Sequence, residues 1–218
     1  KYHQVELLVY GENIGSTTPS IDYPGVRLIE TKKVESANYL FVTIDIAADA
    51  KPGKFPIRFM RDNQLKSSFT YQLLAREPGS ASRKGFLPSD AIYLINPDRF
   101  ANGKTSNDKA PGMLELPDRK FSGGRHGGDI AGMSAHLDYI AAMGFTQIWP
   151  TPLTENNQPK YSYHGYAATN LYKIVSRYGS NADFKQFVGD ARKRGLGVIQ
   201  DIVLNHIGSS HWWMADLP

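Results

Sequence analysis

The run Asp201-Ile202-Val203-Leu204-Asn205-His206 brings a carboxylate, an amide and an imidazole to the end of an apolar stretch. Alternation along a regular strand puts Asp201, Val203 and Asn205 on one side and Ile202, Leu204 and His206 on the other. A polar pair with a histidine at a strand's C-terminal edge is a site signature; it equally fits a satisfied polar cluster that closes the strand. The loop Tyr161-Ser162-Tyr163-His164-Gly165-Tyr166 gathers three tyrosines and a histidine around a glycine. Tyrosine rings offer a flat apolar face and a polar tip, which suits stacking on a sugar combined with hydrogen bonding. Trp212 and Trp213, beside His211, add aromatic surface there or pack as core. Asn102, Asn107, Asp108 and Asp129 are hard oxygen donors in glycine-rich loops. Calcium takes six to eight oxygen ligands, backbone carbonyls included, so such a set suits it, although the spacing is not that of an EF-hand. The stretch Gly123-Gly124-Arg125-His126-Gly127-Gly128-Asp129 lacks the Lys-Ser/Thr ending of a phosphate loop. No Gly-x-Ser-x-Gly elbow supports a serine triad.

The elements that must carry these residues change character near residue 80. Before it, Val5/Leu7/Val9, Leu40/Val42/Ile44/Ile46, Phe55/Ile57/Phe59 and Phe69/Tyr71/Leu73 alternate with period two, the pattern of half-buried strands. Pro24-Gly25, Pro52-Gly53 and Asp62-Asn63 punctuate them, the last as a hairpin turn, so this half reads as a small β-sandwich. Residues 77–85 read as a linker. Beyond it come an apolar strand at 91–95, a helix with Met133, Leu137, Ile140 and Met143 on one face ending at Gly144, and a strand at 145–149. A second helix follows with Phe184, Phe187, Val188 and Ala191 on its face, capped by Ser180 or Asn181 and ended by Gly195, then a third strand at 197–204. Strands alternating with helices imply parallel pairing through crossover helices. The polar loops at 96–102, 151–166 and 205–213 then share the C-terminal edge of the strands, where such folds build their sites.

The length of 218 residues suits one large domain or two small ones, with 41% hydrophobic and 21% charged residues excluding wholesale disorder. No apolar run reaches membrane-spanning length. The absence of cysteine excludes disulfides, cysteine-ligated zinc and a thiol nucleophile. A net charge of +4 without a basic run argues against a nucleic-acid partner.

Five segments in order carry a resemblance: Ile92 to Gly103, Gly127 to Gly132, Trp149 to Leu153, Tyr163 to Tyr166, and Asp201 to His206. Together they resemble the α-amylase family, glycoside hydrolase family 13. The first half resembles the N-terminal β-sandwich of bacterial cyclomaltodextrinases and neopullulanase-like enzymes. Tyr23 to Val26 and His211 to Met214 point towards a cyclomaltodextrinase of the kind found in Bacteroidetes-like bacteria. The resemblance implies an immunoglobulin-like sandwich over residues 1–82 and, over 83–218, the first three or so units of a (β/α)8 TIM barrel, truncated after the third strand. It implies hydrolysis of α-1,4-glucosidic bonds with retention, through two carboxyl groups about 5–5.5 Å apart. In the family the nucleophile, the acid/base and a transition-state aspartate follow the fourth, fifth and seventh strands. No catalytic carboxylate is therefore expected in this chain, which alone is expected to be inactive.

By the same resemblance His206 hydrogen-bonds the sugar before the scissile bond, Tyr166 stacks on that ring and His164 sits beside it. Asp201 and Asn205 support the site architecture. Asn102, Asn107, Asp108, the carbonyl of Gly127 and Asp129 form a structural calcium site. The family often carries Trp after the second tyrosine of the loop, where this chain has Ala167. The implied partners are cyclodextrin, maltodextrin or starch-derived oligosaccharides, in the periplasm or outside the cell, with no nucleic acid or membrane partner and the oligomeric state open. Neopullulanase, amylase and glucanotransferase activities, and a non-catalytic glucan-binding protein with a degenerate barrel, are the alternatives.

Overall fold

The computed structural model describes residues 3–218, which form two compact units. The first comprises residues up to Arg83 together with Asp216–Pro218. Its strands are β1 (Gln4–Tyr10), β2 (Thr18–Ile21), β3 (Val26–Lys33), β4 (Tyr39–Ile46), β5 (Gly53–Arg61) and β6 (Gln64–Leu73). They form two antiparallel sheets, ordered β1-β4-β3 and β2-β5-β6. The central strands supply the core: Leu40, Val42 and Ile44 from β4 cluster with Phe55, Ile57 and Phe59 from β5. Asp62 and Asn63 both take positive φ, 51° and 59°, the geometry of a tight turn matching the twist of a hairpin. The alternating runs became β1, β4, β5 and β6. Alternation does not announce β3, because a bulge between Leu28 and Glu30 shifts its register and leaves Leu28 and Ile29 exposed.

The second unit, Lys84–Ala215, carries the candidate site. In chain order it contains β7 (Ile92–Ile95), α1 (Pro97–Phe100), α2 (Ile130–Ala135), α3 (Leu137–Ala142), β8 (Gln147–Pro150), β9 (Thr154–Glu155), β10 (Asn170–Ile174), α4 (Asn181–Lys193) and β11 (Gly197–Val198). β7, β8 and β11 pair in parallel with β8 in the middle, while β9 and β10 form a small antiparallel pair. Ile95 and Ile148 from the parallel strands meet Ile130, Met133, Leu137, Ile140, Phe187 and Ala191 from the helices in one core. The result is a β-sandwich followed by successive β/α units.

Three local outcomes differ from, or sharpen, the sequence pattern. The single helix expected across 133–143 is two short ones, because the His136 ring donates through Nδ1 to the Gly132 carbonyl at 2.8 Å. That carbonyl is the acceptor the His136 amide needs to continue an α-helix, and the amide bonds Met133 instead. Met143, past the break, is exposed. At α4, Ser180 is the cap: its hydroxyl accepts from the Asp183 amide, and Asp183 reciprocates to the Ser180 amide, a complete capping box. The third strand is shorter than expected. Its ladder to β8 covers Gly197 and Val198, with Ile199 donating once more to the Ile148 carbonyl at 2.8 Å. Among the described residues no strand pairs with its other side, and the run 199–204 carries no ladder, with Ile202 and Leu204 exposed.

Candidate functional site

Asp201, just past β11, is held from two sides. Trp149 of β8 donates through Nε1 to its Oδ2 at 3.1 Å, and the Tyr166 hydroxyl donates to the same oxygen at 3.0 Å. Burial and this bond to a carboxylate both raise the Tyr166 pKa, so its hydroxyl stays protonated as the donor. His206 donates through Nε2 to the Tyr166 carbonyl at 2.9 Å, since a carbonyl only accepts. Its Nδ1 then accepts from the Asn205 amide at 3.2 Å, which fixes the tautomer. His164 accepts at Nδ1 from the Tyr166 amide at 2.9 Å, and the two rings lie nearly parallel with centroids 5.9 Å apart. Burial lowers the His164 pKa, against the opposing pull of Glu115, and keeps the ring neutral. Tyr166, His164, His206, Asn205 and Asp201 thus meet at one sheet edge, and Trp149 joins them. The arrangement offers flat aromatic faces beside hydrogen-bonding tips, a combination that suits sugar recognition.

The loop bearing Tyr166 is fixed from beneath. Tyr161 adopts a left-handed φ of 58°, and Ser162–His164 form one turn of 3-10 helix with no side-chain cap of its own. Gly165 has φ +85°, and a Cβ there would lie 2.2 Å from the Pro152 carbonyl oxygen, so the position admits only glycine. Below the turn lies a buried ionic network. The Glu115 carboxylate accepts the amides of Tyr161 at 3.0 Å and Ser162 at 2.7 Å. Arg177 donates to the carbonyls of Glu115 and Asn156, both at 2.8 Å, and to the Ser162 hydroxyl at 3.1 Å. Arg125 reaches the same hydroxyl at 3.3 Å and pairs with Asp98 at 3.5 Å. Burial, reinforced by the like charge of Arg125, pushes the Arg177 pKa down to about 10. Tyr178, buried beneath Arg125, is pushed up to about 12 and donates to the Tyr163 carbonyl at 2.8 Å.

The oxygen donors form a second cluster around the loop after α1. Asn102 donates to both oxygens of Asp108, at 2.9 and 3.1 Å. Gly127, with φ +90°, lies so close that a Cβ would stand 2.7 Å from the Asn102 amide nitrogen and 2.8 Å from Asp108 Oδ1. Asp129 is fully buried as the N-cap of α2. Its Oδ1 accepts from the amides of Gly103 and Gly132, and its Oδ2 from Lys104 and the Asn107 side chain, all between 2.7 and 3.1 Å. Asn107 Oδ1 is buried without a hydrogen-bond partner. The orphaned buried oxygen of Asn107 is a donor of the kind a hard cation takes, while the Asn102 oxygen already accepts from the Lys104 amide at 3.1 Å.

Trp212 and Trp213 pack against the buried His211, with ring centroids 5.5 and 4.7 Å away, and His211 caps the turn by accepting from the Trp213 amide at 3.1 Å. The residues that composition and motif did not single out are Trp149 as a brace for Asp201, and Glu115 and Arg177 beneath the loop. Glu115 lies in the aperiodic run Met113-Leu114-Glu115-Leu116, far in sequence from the amides it accepts, so no spacing signal marks it.

Comparisons with known proteins match both halves of the chain. The family described as Alpha amylase, catalytic domain, matches residues 94–217, and that described as Cyclomaltodextrinase, N-terminal, matches residues 1–77. The crystal structure of an Anoxybacillus α-amylase is 42% identical, with a TM-score of 0.53, covering 58% of this chain and 26% of that one. The cyclic α-maltosyl-(1→6)-maltose hydrolase of Arthrobacter globiformis is 34% identical, with a TM-score of 0.50, covering 59% of this chain and 28% of that one. The periplasmic α-amylase of Escherichia coli is 32% identical over 133 residues, 54% of this chain and 19% of that protein. The chain spans between 10% and 28% of the length of the curated relatives it matches. With the α-amylase catalytic match covering more than half of its residues, on a β-sandwich followed by β/α units of a TIM barrel, the chain belongs to the α-amylase family of glycoside hydrolases.

Proposed function

We propose that this chain supplies the sugar-binding edge of an enzyme that hydrolyses α-1,4-glucosidic bonds in cyclodextrins and linear maltodextrins with retention. The carrying observation is the cluster at the strand ends, in which Tyr166 bridges Asp201 through its hydroxyl and His206 through its carbonyl. In this reading Tyr166 stacks on the glucose unit before the scissile bond. His164 donates to its hydroxyls through the Nε2–H that its bond with the Tyr166 amide leaves free, His206 hydrogen-bonds the sugar by exchanging its Nε2–H from the Tyr166 carbonyl, and Asp201 and Asn205 support the site. The nucleophile and the acid/base belong to a part of the enzyme beyond these residues, and the 218-residue chain alone is inactive. The cyclodextrin preference is supported by the match of residues 1–77 to the cyclomaltodextrinase N-terminal family and by the structural neighbour that hydrolyses a cyclic maltosyl sugar. The E. coli relative named as periplasmic supports a periplasmic or extracellular setting. Among the described residues no helix is long and apolar enough to cross a membrane.

The same reading gives the second cluster a structural calcium ion. Asn102, Asn107, Asp108 and the Gly127 carbonyl would hold it, the ion supplying a cross-link between two loops. Asp129 has all four of its lone-pair directions taken by N–H donors, so it serves as the brace that orients Asn107.

Product analysis of the full-length protein on β-cyclodextrin and soluble starch tests the proposal. Opening of the cyclodextrin to linear maltodextrins, faster than attack on starch, is the expected result. Binding without any new reducing ends favours a non-catalytic glucan-binding protein and contradicts it.

A further inference from the structure

We propose that Glu115 is a positioning residue for sugar recognition, acting through the amides of Tyr161 and Ser162 on Tyr166. The inference rests on the glucan-hydrolase reading above. The turn that carries Tyr163 and His164 starts from a left-handed tyrosine and has no side-chain cap of its own. Its leading amides are instead taken by one carboxylate from a distant loop, at 3.0 and 2.7 Å. An acceptor-only group with two oxygens matches two adjacent N–H donors.

Glu115 is itself immobilised. It is 9% exposed, and its carbonyl is gripped by Arg177, which also ties Asn156 and the Ser162 hydroxyl into the same buried network. At the other end of the turn, Gly165 is pinned against the Pro152 carbonyl. Tyr166 follows immediately. The placement of its hydroxyl on Asp201, and of its carbonyl on His206, therefore inherits the geometry that Glu115 sets one turn earlier. Polar contacts at Tyr161, Ser162, Tyr163 and Tyr166 and the close fit of Gly165 hold this relay at each end, so a small change at Glu115 has little slack in which to dissipate.

The deciding substitution is Glu115→Gln in the full-length protein. Gln keeps the size but offers one acceptor oxygen, and sets an amide N–H against the other backbone donor. The expected result is a fall of about tenfold or more in kcat/KM on β-cyclodextrin. In a Tyr166→Ala background the same substitution should cost clearly less than in the wild type, because the ring and hydroxyl it positions are gone and only the carbonyl contact to His206 remains. Hydrogen exchange at the Tyr161 and Ser162 amides should accelerate about tenfold or more, while Phe187 and Ala191 in α4 keep their protection. Fully additive losses in the double variant, or unchanged exchange at Tyr161 and Ser162, overturn the proposal. If Glu115→Gln does not fold, Glu115→Asp, which keeps the carboxylate one methylene shorter, should show the same non-additivity to a smaller degree, and additive losses there overturn the proposal equally. Should the wild-type protein cleave no glucan, the functional reading fails on that result alone. The exchange rates then decide by themselves whether Glu115 sets the loop.

Discussion

Two imidazoles of the second unit, His164 and His211, are kept neutral by burial, their pKa values below the ordinary 6.5. In the unfolded chain each takes a proton as the pH falls through about 6.5, while the folded form resists until a lower pH. Their contribution to stability is therefore complete above 6.5 and is lost as the pH drops through the folded values. Tm should fall between pH 7 and pH 5, and His211→Gln should flatten that fall; a variant with the wild-type slope removes His211 from the account. At this scale the site residues were legible through the family resemblance, while residue type and spacing alone left a packed polar cluster as an equal reading. His164, Tyr166 and His206 come together as their motifs imply, with Asn205 and Asp201 behind them. Trp149 was legible as a strand residue opening one of the family-like segments, not as a partner of Asp201. Its indole N–H finds Asp201 because parallel pairing aligns the ends of β8 and β11, a fact of tertiary pairing that no local pattern encodes.

The loops, rather than the strands, decide how well the site is formed. Gly165→Ala puts a Cβ against the Pro152 carbonyl in a left-handed backbone, and should destabilise the unit by more than about 1 kcal/mol. Chemical denaturation reads this directly, and an unchanged midpoint contradicts the picture of a pinned turn. The cation loop makes a contrasting prediction. Calcium should raise the Tm of the full-length protein, and Asp108→Ala should remove most of that increment, since a ligand stabilises only the state that binds it. Asp129→Ala should lower Tm by similar amounts with and without chelator, because its four hydrogen bonds cap α2 and tie down the loop regardless of the ion. If the Asp129→Ala loss appears only with calcium, Asp129 is a ligand and the brace assignment falls. Helix α4 was legible to its Gly195 stop, with φ +74°, and at its start to the choice between Ser180 and Asn181, which the Ser180–Asp183 capping box decides. The α2–α3 break was not, because it turns on where one histidine ring sends its N–H.

At the scale of the molecule, the β-sandwich followed by β/α units was readable from the switch of period near residue 80. What remained hidden is where pairing stops. Residues 199–204 have the composition of a buried parallel strand, yet Leu204 is 83% exposed beside a ladder of two residues. Composition reports what a segment can bury, and its neighbours decide what it does bury. The account's central claim is that the strand-end cluster binds the glucose unit before the scissile bond. Steady-state kinetics of His206→Ala in the full-length protein, on maltodextrin, test it most directly. A fall in kcat/KM of more than about tenfold, with Tm shifted by only a few degrees, is the predicted result. An unchanged kcat/KM would contradict the claim.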